Sequence, residues 1–158
     1  MPKNNANEKI LREIDDAGLW FHAKKYRPIW VRLLEKQEAV PTLEGEELVP
    51  AGNYVCRGEA GDIWPQSAEK LTAKYELTDE LDEQGWRKCH PKPDAAGVVA
   101  AQILHAFQVQ AEWGTLSGKP GDFIVKNFAD RNNPNPTDVW IVDQRLFNAT
   151  YERVTTGQ

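Results

Sequence analysis

An ordered self-similarity between residues 40–76 and 109–152 constrains this chain more than any other feature. Val40 and Gly45 precede the run Gly52-Asn53-Tyr54-Val55-Cys56-Arg57. Val109 and Gly114 precede Gly121-Asp122-Phe123-Ile124-Val125-Lys126, each 69 positions later. Further on, Asp62-Ile63-Trp64 matches Asp138-Val139-Trp140, and Leu71, Ala73, Tyr75 and Glu76 match Phe147, Ala149, Tyr151 and Glu152. The spacing there is 76 positions, so the second segment carries seven extra residues between its paired parts. One length change in an otherwise ordered set of matches predicts a duplicated supersecondary unit, and such units set the architecture.

Each unit reads as a hairpin followed by a short helix. Pro50 and Gly52, like Pro120 and Gly121, favour a turn. Residues 53–56 and 122–125 then read as strands, with 62–64 and 138–142 returning. Ser67 and Asp143 are N-cap residues, able to accept bonds from orphan helix N–H groups. Leu71 and Phe147 would point inward, with Tyr75 and Tyr151 on the same helical side one turn later. The expected skeleton is Gly52, Tyr54, Trp64 and Tyr75 in the first unit and Gly121, Phe123, Trp140 and Tyr151 in the second. Trp64 and Trp140 are expected in equivalent, mostly buried places.

The fold class expected is α+β: a tandem repeat of a small antiparallel β-rich unit with one short helix each, plus an N-terminal helix. Residues 1–20 supply that helix, since Ile10, Leu11 and Ile14 share one face and Gly18 stops it. Residues 21–78 form the first unit, 79–96 a linker and 97–158 the second. Units of about 55 residues bury little surface alone, so the two should pack as one globule. Residues 28–34, 97–104 and 107–111 are further strand candidates. Residues 88–93 contain two prolines and read as irregular.

The glycine turns, Pro50-Ala51-Gly52-Asn53-Tyr54 and Lys119-Pro120-Gly121-Asp122-Phe123, resemble the signature of the PGDYG family of bacterial proteins. The second unit is also similar to small proteins encoded in phages and prophages. Val99 to Ala101, Gly114, Pro120 to Phe123, and Phe147 to Glu152 carry that likeness. The first unit departs from the pattern by inserting Ala51 and by using Asn53 in place of the acid. The resemblance implies a mobile-element origin and no catalytic residue.

A formal net charge of −5 disfavours duplex nucleic acid as a partner, because duplex binding needs a basic footprint. No apolar run reaches the roughly 20 residues that span a bilayer. The N-terminal residues lack the apolar segment of a secretory signal, so a cytoplasmic protein with Cys56 and Cys89 as free thiols is expected. Neither a nucleotide-binding loop nor HExxH nor CxxC occurs. Cys56, Cys89, His22, His90 and His105 lack the spacing of a zinc site, so neither metal nor cofactor is expected. Asp62, Asp122 and Asp138 suit turn and strand-edge roles.

No catalytic constellation is visible, and the enzyme question stays open. The leading expectation is a non-enzymatic binding or accessory module for an unknown protein or small molecule. A small-molecule-binding protein or enzyme with a pocket between the units is the alternative. Single-stranded nucleic acid on a strand face, using Lys24, Lys25, Arg27 and Arg32, is a third reading. The candidate contacts are Phe128, Asp130 and Arg131 in the long loop, because binding residues concentrate on loops held by a rigid scaffold. Trp86 and Trp113 join them as aromatics without a counterpart in the other unit. Trp20 and Trp30 likewise lack one.

Overall fold

Alternating apolar residues over short stretches produce strands through most of the chain. The computed structural model describes residues 7–155. Helix α1 (Glu8–Ala17) opens it and ends at Gly18, whose left-handed φ of 63° returns the backbone N–H to the last turn. Then follow β1 (Phe21–Lys25), β2 (Ile29–Leu33), β3 (Glu38–Thr42), β4 (Gly45–Val49), β5 (Tyr54–Gly58) and β6 (Ile63–Gln66). Helix α2 (Ala68–Lys74) runs directly into β7 (Tyr75–Leu81), and β8 (Arg87–Pro91) follows. The remainder comprises β9 (Val98–Gln102), β10 (Phe107–Gln110), β11 (Thr115–Gly118), β12 (Phe123–Asn127), β13 (Val139–Val142), α3 (Gln144–Thr150) and β14 (Tyr151–Arg153).

The strands form two five-stranded antiparallel sheets and two separate hairpins. One sheet has the order β6-β5-β2-β8-β7 and the other β13-β12-β9-β1-β14. The layouts correspond strand for strand. In each, a helix covers one face: Leu71 of α2 joins Ile29, Val31, Cys56, Tyr75 and Cys89, while Phe147 of α3 joins Ala23, Val98, Ala100, Phe123 and Val125. On the opposite faces lie the hairpins β3-β4 and β10-β11. Only the second sheet has an additional cover there, where α1 buries Ile10, Leu11 and Ile14.

The fourth strand of each sheet is the strand that precedes, in the chain, the middle strand of the other sheet. β1 leads into β2 but pairs with β9 and β14, matching Ala23 with Val98 and Lys25 with Tyr151. β8 leads into β9 but pairs with β2 and β7, matching Cys89 with Ile29 and Pro91 with Tyr75. The boundaries read from the sequence therefore change. Residues 21–25 belong to the second sheet rather than to a unit spanning 21–78. Residues 79–96 are not a free linker, and 87–91 are a strand rather than irregular chain. Pro91 is tolerated because it is the last residue of β8.

This exchange also aligns Trp20 with Trp86. Each lies three positions before the residue, Ala23 or Cys89, that pairs with the middle strand of its sheet. Each ring carries a cation from the next-but-one strand: Lys126 Nζ is 4.5 Å from the Trp20 centroid, and Arg57 Cζ is 4.7 Å from that of Trp86. Two of the four tryptophans without a match in the sequence thus occupy similar places against the two sheets.

Reciprocal contacts join the two hairpins, as across a two-fold axis. The Leu48 N–H donates to the Trp113 carbonyl (3.1 Å), and the Ser117 N–H donates to the Glu44 carbonyl (2.8 Å). A Cβ on Gly45 would lie 2.7 Å from the Thr115 oxygen, and one on Gly114 would lie 2.6 Å from the Glu46 oxygen. Glycine stands at both places because the backbones cross there.

The glycine turns have a local explanation too. Gly52 (φ 90°) and Gly121 (φ 97°) donate their N–H groups to Leu34 and Ile103. Asp122, almost wholly buried, accepts bonds from the Lys119 and Gln144 N–H groups and from the Lys119 ammonium. That carboxylate joins the turn to the start of α3. Ser67 and Asp143 cap α2 and α3 as expected. The helices, however, stop at Lys74 and Thr150, and Tyr75 and Tyr151 are the first residues of strands.

Candidate functional site

Because both helices break immediately before a tyrosine, Tyr75 and Tyr151 turn towards the space between the sheets. Trp64 on β6 and Trp140 on β13 line the same space. These four residues, expected to be structural, form the aromatic wall of a cleft of about 120 Å³. Trp64 and Trp140 are half-buried rather than buried, since part of each ring faces the cavity. Val98, Ala111, Leu116, Val139 and Ile141 add apolar lining. The hairpins contribute Glu44, Glu47, Glu112 and Trp113.

Five lysines line this cleft, Lys24, Lys25, Lys70, Lys74 and Lys92, and the environments of Lys25, Lys70 and Lys74 differ. Lys70 on α2 is an ion-paired group, 2.9 Å from Glu112 and 2.5 Å from Asp138. Desolvation opposes its charge, but these two bonds outweigh it and raise its pKa. Lys25 at the end of β1 places Nζ 3.5 Å from the Trp64 centroid and 5.4 Å from that of Tyr151. Lys74, the last residue of α2, places Nζ 5.1 Å from the Trp140 centroid. Among the described residues neither Lys25 nor Lys74 makes an ion pair with a carboxylate. Burial pushes both down to about 8; Asp62 partly offsets this for Lys25 and Asp138 for Lys74, while a neighbouring ammonium, Lys74 for Lys25 and Lys70 for Lys74, adds to it.

Two carboxyls on the hairpin side are perturbed in the opposite sense. Burial pushes Glu44 and Glu47 up to about 7. Repulsion from Asp122 adds to the effect at Glu44, whereas the Trp113 N–H partly offsets it at Glu47. The Glu44 Oε2 and Asp62 Oδ1 atoms are buried without a hydrogen-bond partner. Both residues line a small extension of the cleft beside Lys25, Trp64 and Tyr151. The cleft therefore combines aromatic surface, two amines without carboxylate partners and unsatisfied carboxyl oxygens.

These four shifts give stability an unusual pH profile. Glu44 and Glu47 bind protons more tightly when folded, so they reduce stability as pH rises from about 4.5 to 7. Lys25 and Lys74 bind protons less tightly when folded, so they restore it from about pH 8 upward. Cys56 and Cys89, raised to about 12 and 11 by burial, oppose that recovery above about pH 9. The unliganded chain should thus be least stable near pH 7–8, by on the order of 1 kcal/mol per group after allowing for partial exposure. Thermal midpoints at pH 5.5, 7.5 and 9 measure this. A flat profile, or a maximum at pH 7.5, would show that these groups ionise as they do in the unfolded chain. Glu44→Gln with Glu47→Gln should remove the acid-side slope.

No protein-family model, curated protein or solved structure matches this chain. Its site is therefore read from its own chemistry.

The contacts expected from the long loop do not reach the cleft. Phe128 stacks on His22 with centroids 4.1 Å apart, and the Arg131 guanidinium lies 4.2 Å from the Phe128 centroid. The Arg131 side chain and backbone N–H both donate to the Phe128 carbonyl. Asp130 accepts the Asn133 N–H through its carbonyl. The loop also supplies the Asn133 carbonyl to the ammonium of Lys126, which is 1% exposed. These bonds fasten the loop to the scaffold.

Trp86 sits at the far side of the first sheet, between Arg32 and Arg57. Of the loop and tryptophan candidates, only Trp113 lines the cleft. The cations offered for single-stranded nucleic acid are dispersed or engaged. Arg27 pairs with Glu59 and Arg32 with Glu38, Lys24 donates to the Pro93 carbonyl, and Lys25 points into the cleft. Cys56 and Cys89 are free and buried. Among the described residues no cluster of His, Cys, Asp or Glu could hold a metal ion, and no helix is long and apolar enough to cross a membrane.

Proposed function

We propose that this chain is a small-molecule-binding protein whose cleft takes a planar, single-ring anion. One observation carries the reading: Lys25 and Lys74 present amines to an aromatic-lined cavity without a direct ion pair, with Asp62 and Asp138 acting on them only from beyond ion-pair distance. A buried ammonium without a counter-ion is costly, and a bound anion supplies one. Trp64, Trp140, Tyr75 and Tyr151 give the ligand ring flat surfaces to pack on. The volume favours a single ring, since a cavity of about 150 Å³ accommodates benzene.

The chain on this reading is a tandem pair of one PGDYG-like unit, with the fourth strand exchanged between units. The matching sheet orders and the reciprocal hairpin bonds support the duplication. Duplication accounts for the paired tryptophans and tyrosines, and divergence for the asymmetric lysines: Lys70 and Lys74 align with Leu146 and Thr150. A binding or accessory role in a phage or mobile element fits a site without a catalytic constellation.

Tryptophan fluorescence tests the reading, because Trp64 and Trp140 report on the cavity. Titration with benzoate and phenyl phosphate should quench emission, and benzamidine, the cationic analogue, should bind at least tenfold more weakly. The double variant Lys25→Met, Lys74→Met should lose at least tenfold in anion affinity, in line with charge-assisted bonds of about 1.5–3 kcal/mol. Equal affinity for the anions and benzamidine, or no loss in the double variant, would sink the proposal.

A further inference from the structure

We propose that Lys74 is a nucleophilic amine and that the cleft condenses it with an aromatic aldehyde bearing an acidic group. This rests on the anion-binding reading and adds a covalent step to it. The two free lysines are not equivalent. Lys25 Nζ lies over the face of Trp64 at 3.5 Å and within 5.4 Å of Tyr151. Ring faces stabilise an ammonium, so Lys25 is suited to stay charged and hold the ligand's acidic group. Lys74 has only the looser contact with Trp140, at 5.1 Å.

Lys74 also follows Lys70 by one helical turn, which places the two on the same side of α2. Glu112 and Asp138 keep Lys70 charged and in place. A fixed cation beside a desolvated amine favours the neutral, nucleophilic form, the arrangement that activates lysines for Schiff-base chemistry. Asp138 opposes this effect, but its carboxylate is already shared between Lys70 and the Asn127 amide, 2.6 Å away. Burial lowers Lys25 and Lys74 alike to about 8, so the assignment of roles rests on the ring contacts and on Lys70.

The reaction is balanced without a cofactor. The neutral Nζ lone pair attacks the carbonyl carbon, and the proton lost from nitrogen is replaced by one gained on oxygen, giving a carbinolamine. The hydroxyl then departs as water with a second proton, and the C=N bond forms. Amine and aldehyde become imine and water, with no change of oxidation state.

The test incubates the full chain with 4-carboxybenzaldehyde and sodium cyanoborohydride at pH 8. The borohydride reduces any imine to a stable secondary amine. Intact mass and peptide mapping then locate the adduct, and benzoate quenching is measured in parallel. One adduct is expected, on Lys74, formed at least tenfold faster than at exposed Lys36. Lys74→Arg should abolish it, and Lys25→Met should slow it about tenfold. Labelling spread evenly over surface lysines, with benzoate quenching intact, overturns the nucleophile and leaves the binding reading standing. An adduct on Lys25 instead of Lys74 overturns the assignment of roles. Absence of both adduct and quenching removes both proposals.

Discussion

Valine at Gly114 is expected to destabilise the chain by about 3 kcal/mol, the upper range for overpacking a closed site. The cause is the hairpin crossing. A Cβ at residue 114 would sit 2.6 Å from the Glu46 carbonyl oxygen and 3.3 Å from the Glu47 Cα, and both neighbours are backbone. Relief requires β4 and β11 to separate, which breaks the two reciprocal bonds at Leu48 and Ser117. For a chain of this size the thermal midpoint should fall by about 6–12 °C. Alanine at Gly85 is the control. Its φ is 83°, but nothing lies within 4 Å of the added carbon, so only the left-handed backbone cost of about 1–2 kcal/mol applies. A midpoint for Gly114→Val above that of Gly85→Ala would mean that the hairpins are not in contact in solution. Because Glu44, Glu47 and Trp113 stand on these hairpins, Gly114→Val should also weaken benzoate binding in whatever fraction stays folded.

Truncating Phe147 to alanine is expected to cost about 3–5 kcal/mol, as for other buried aromatics. Phe147 stacks on Phe123 at 4.0 Å and on Tyr151 at 4.5 Å, and meets Phe21 edge-on at 5.8 Å. The set joins α3, β12, β14 and β1. Phe21 lies on the strand supplied from the start of the chain, so the loss should be felt in β1. Chemical denaturation gives the magnitude, and amide hydrogen exchange shows whether β1 loses protection first. Phe147→Leu should retain more than half of the lost stability. An unchanged denaturation midpoint for Phe147→Ala would show that α3 is not fastened to its sheet through this residue.

The sequence made the local elements legible because their signals are local. The helix face of Ile10, Leu11 and Ile14, the caps at Ser67 and Asp143, and the glycine turns all depend on neighbours a few residues apart. Antiparallel, β-rich α+β architecture followed from the spacing of those signals. Strand β1 was missed because Phe21–Lys25 lacks a strong alternation, and β8 because its prolines suggested irregular chain.

The site was legible only in fragments. Trp64, Trp140, Tyr75 and Tyr151 stood out through self-similarity, which reports that positions correspond but not whether a ring is covered or faces a cavity. Lys25 and Lys74 carried no motif. Their character arises from desolvation and from partners 39–126 positions away: Trp64 and Tyr151 beside Lys25, Trp140 beside Lys74. The long loop stood out for its candidate contacts because sequence cannot show that a buried Lys126 takes its carbonyl. By itself the sequence determined the glycine turns, the helix starts at Ser67 and Asp143, and the strands that flank those turns. Only the tertiary structure decided which sheet β1 and β8 complete, and which lysines are left without a carboxylate. Strand pairing and burial depend on contacts between distant residues, and these come into being only when the sheets close around the cleft.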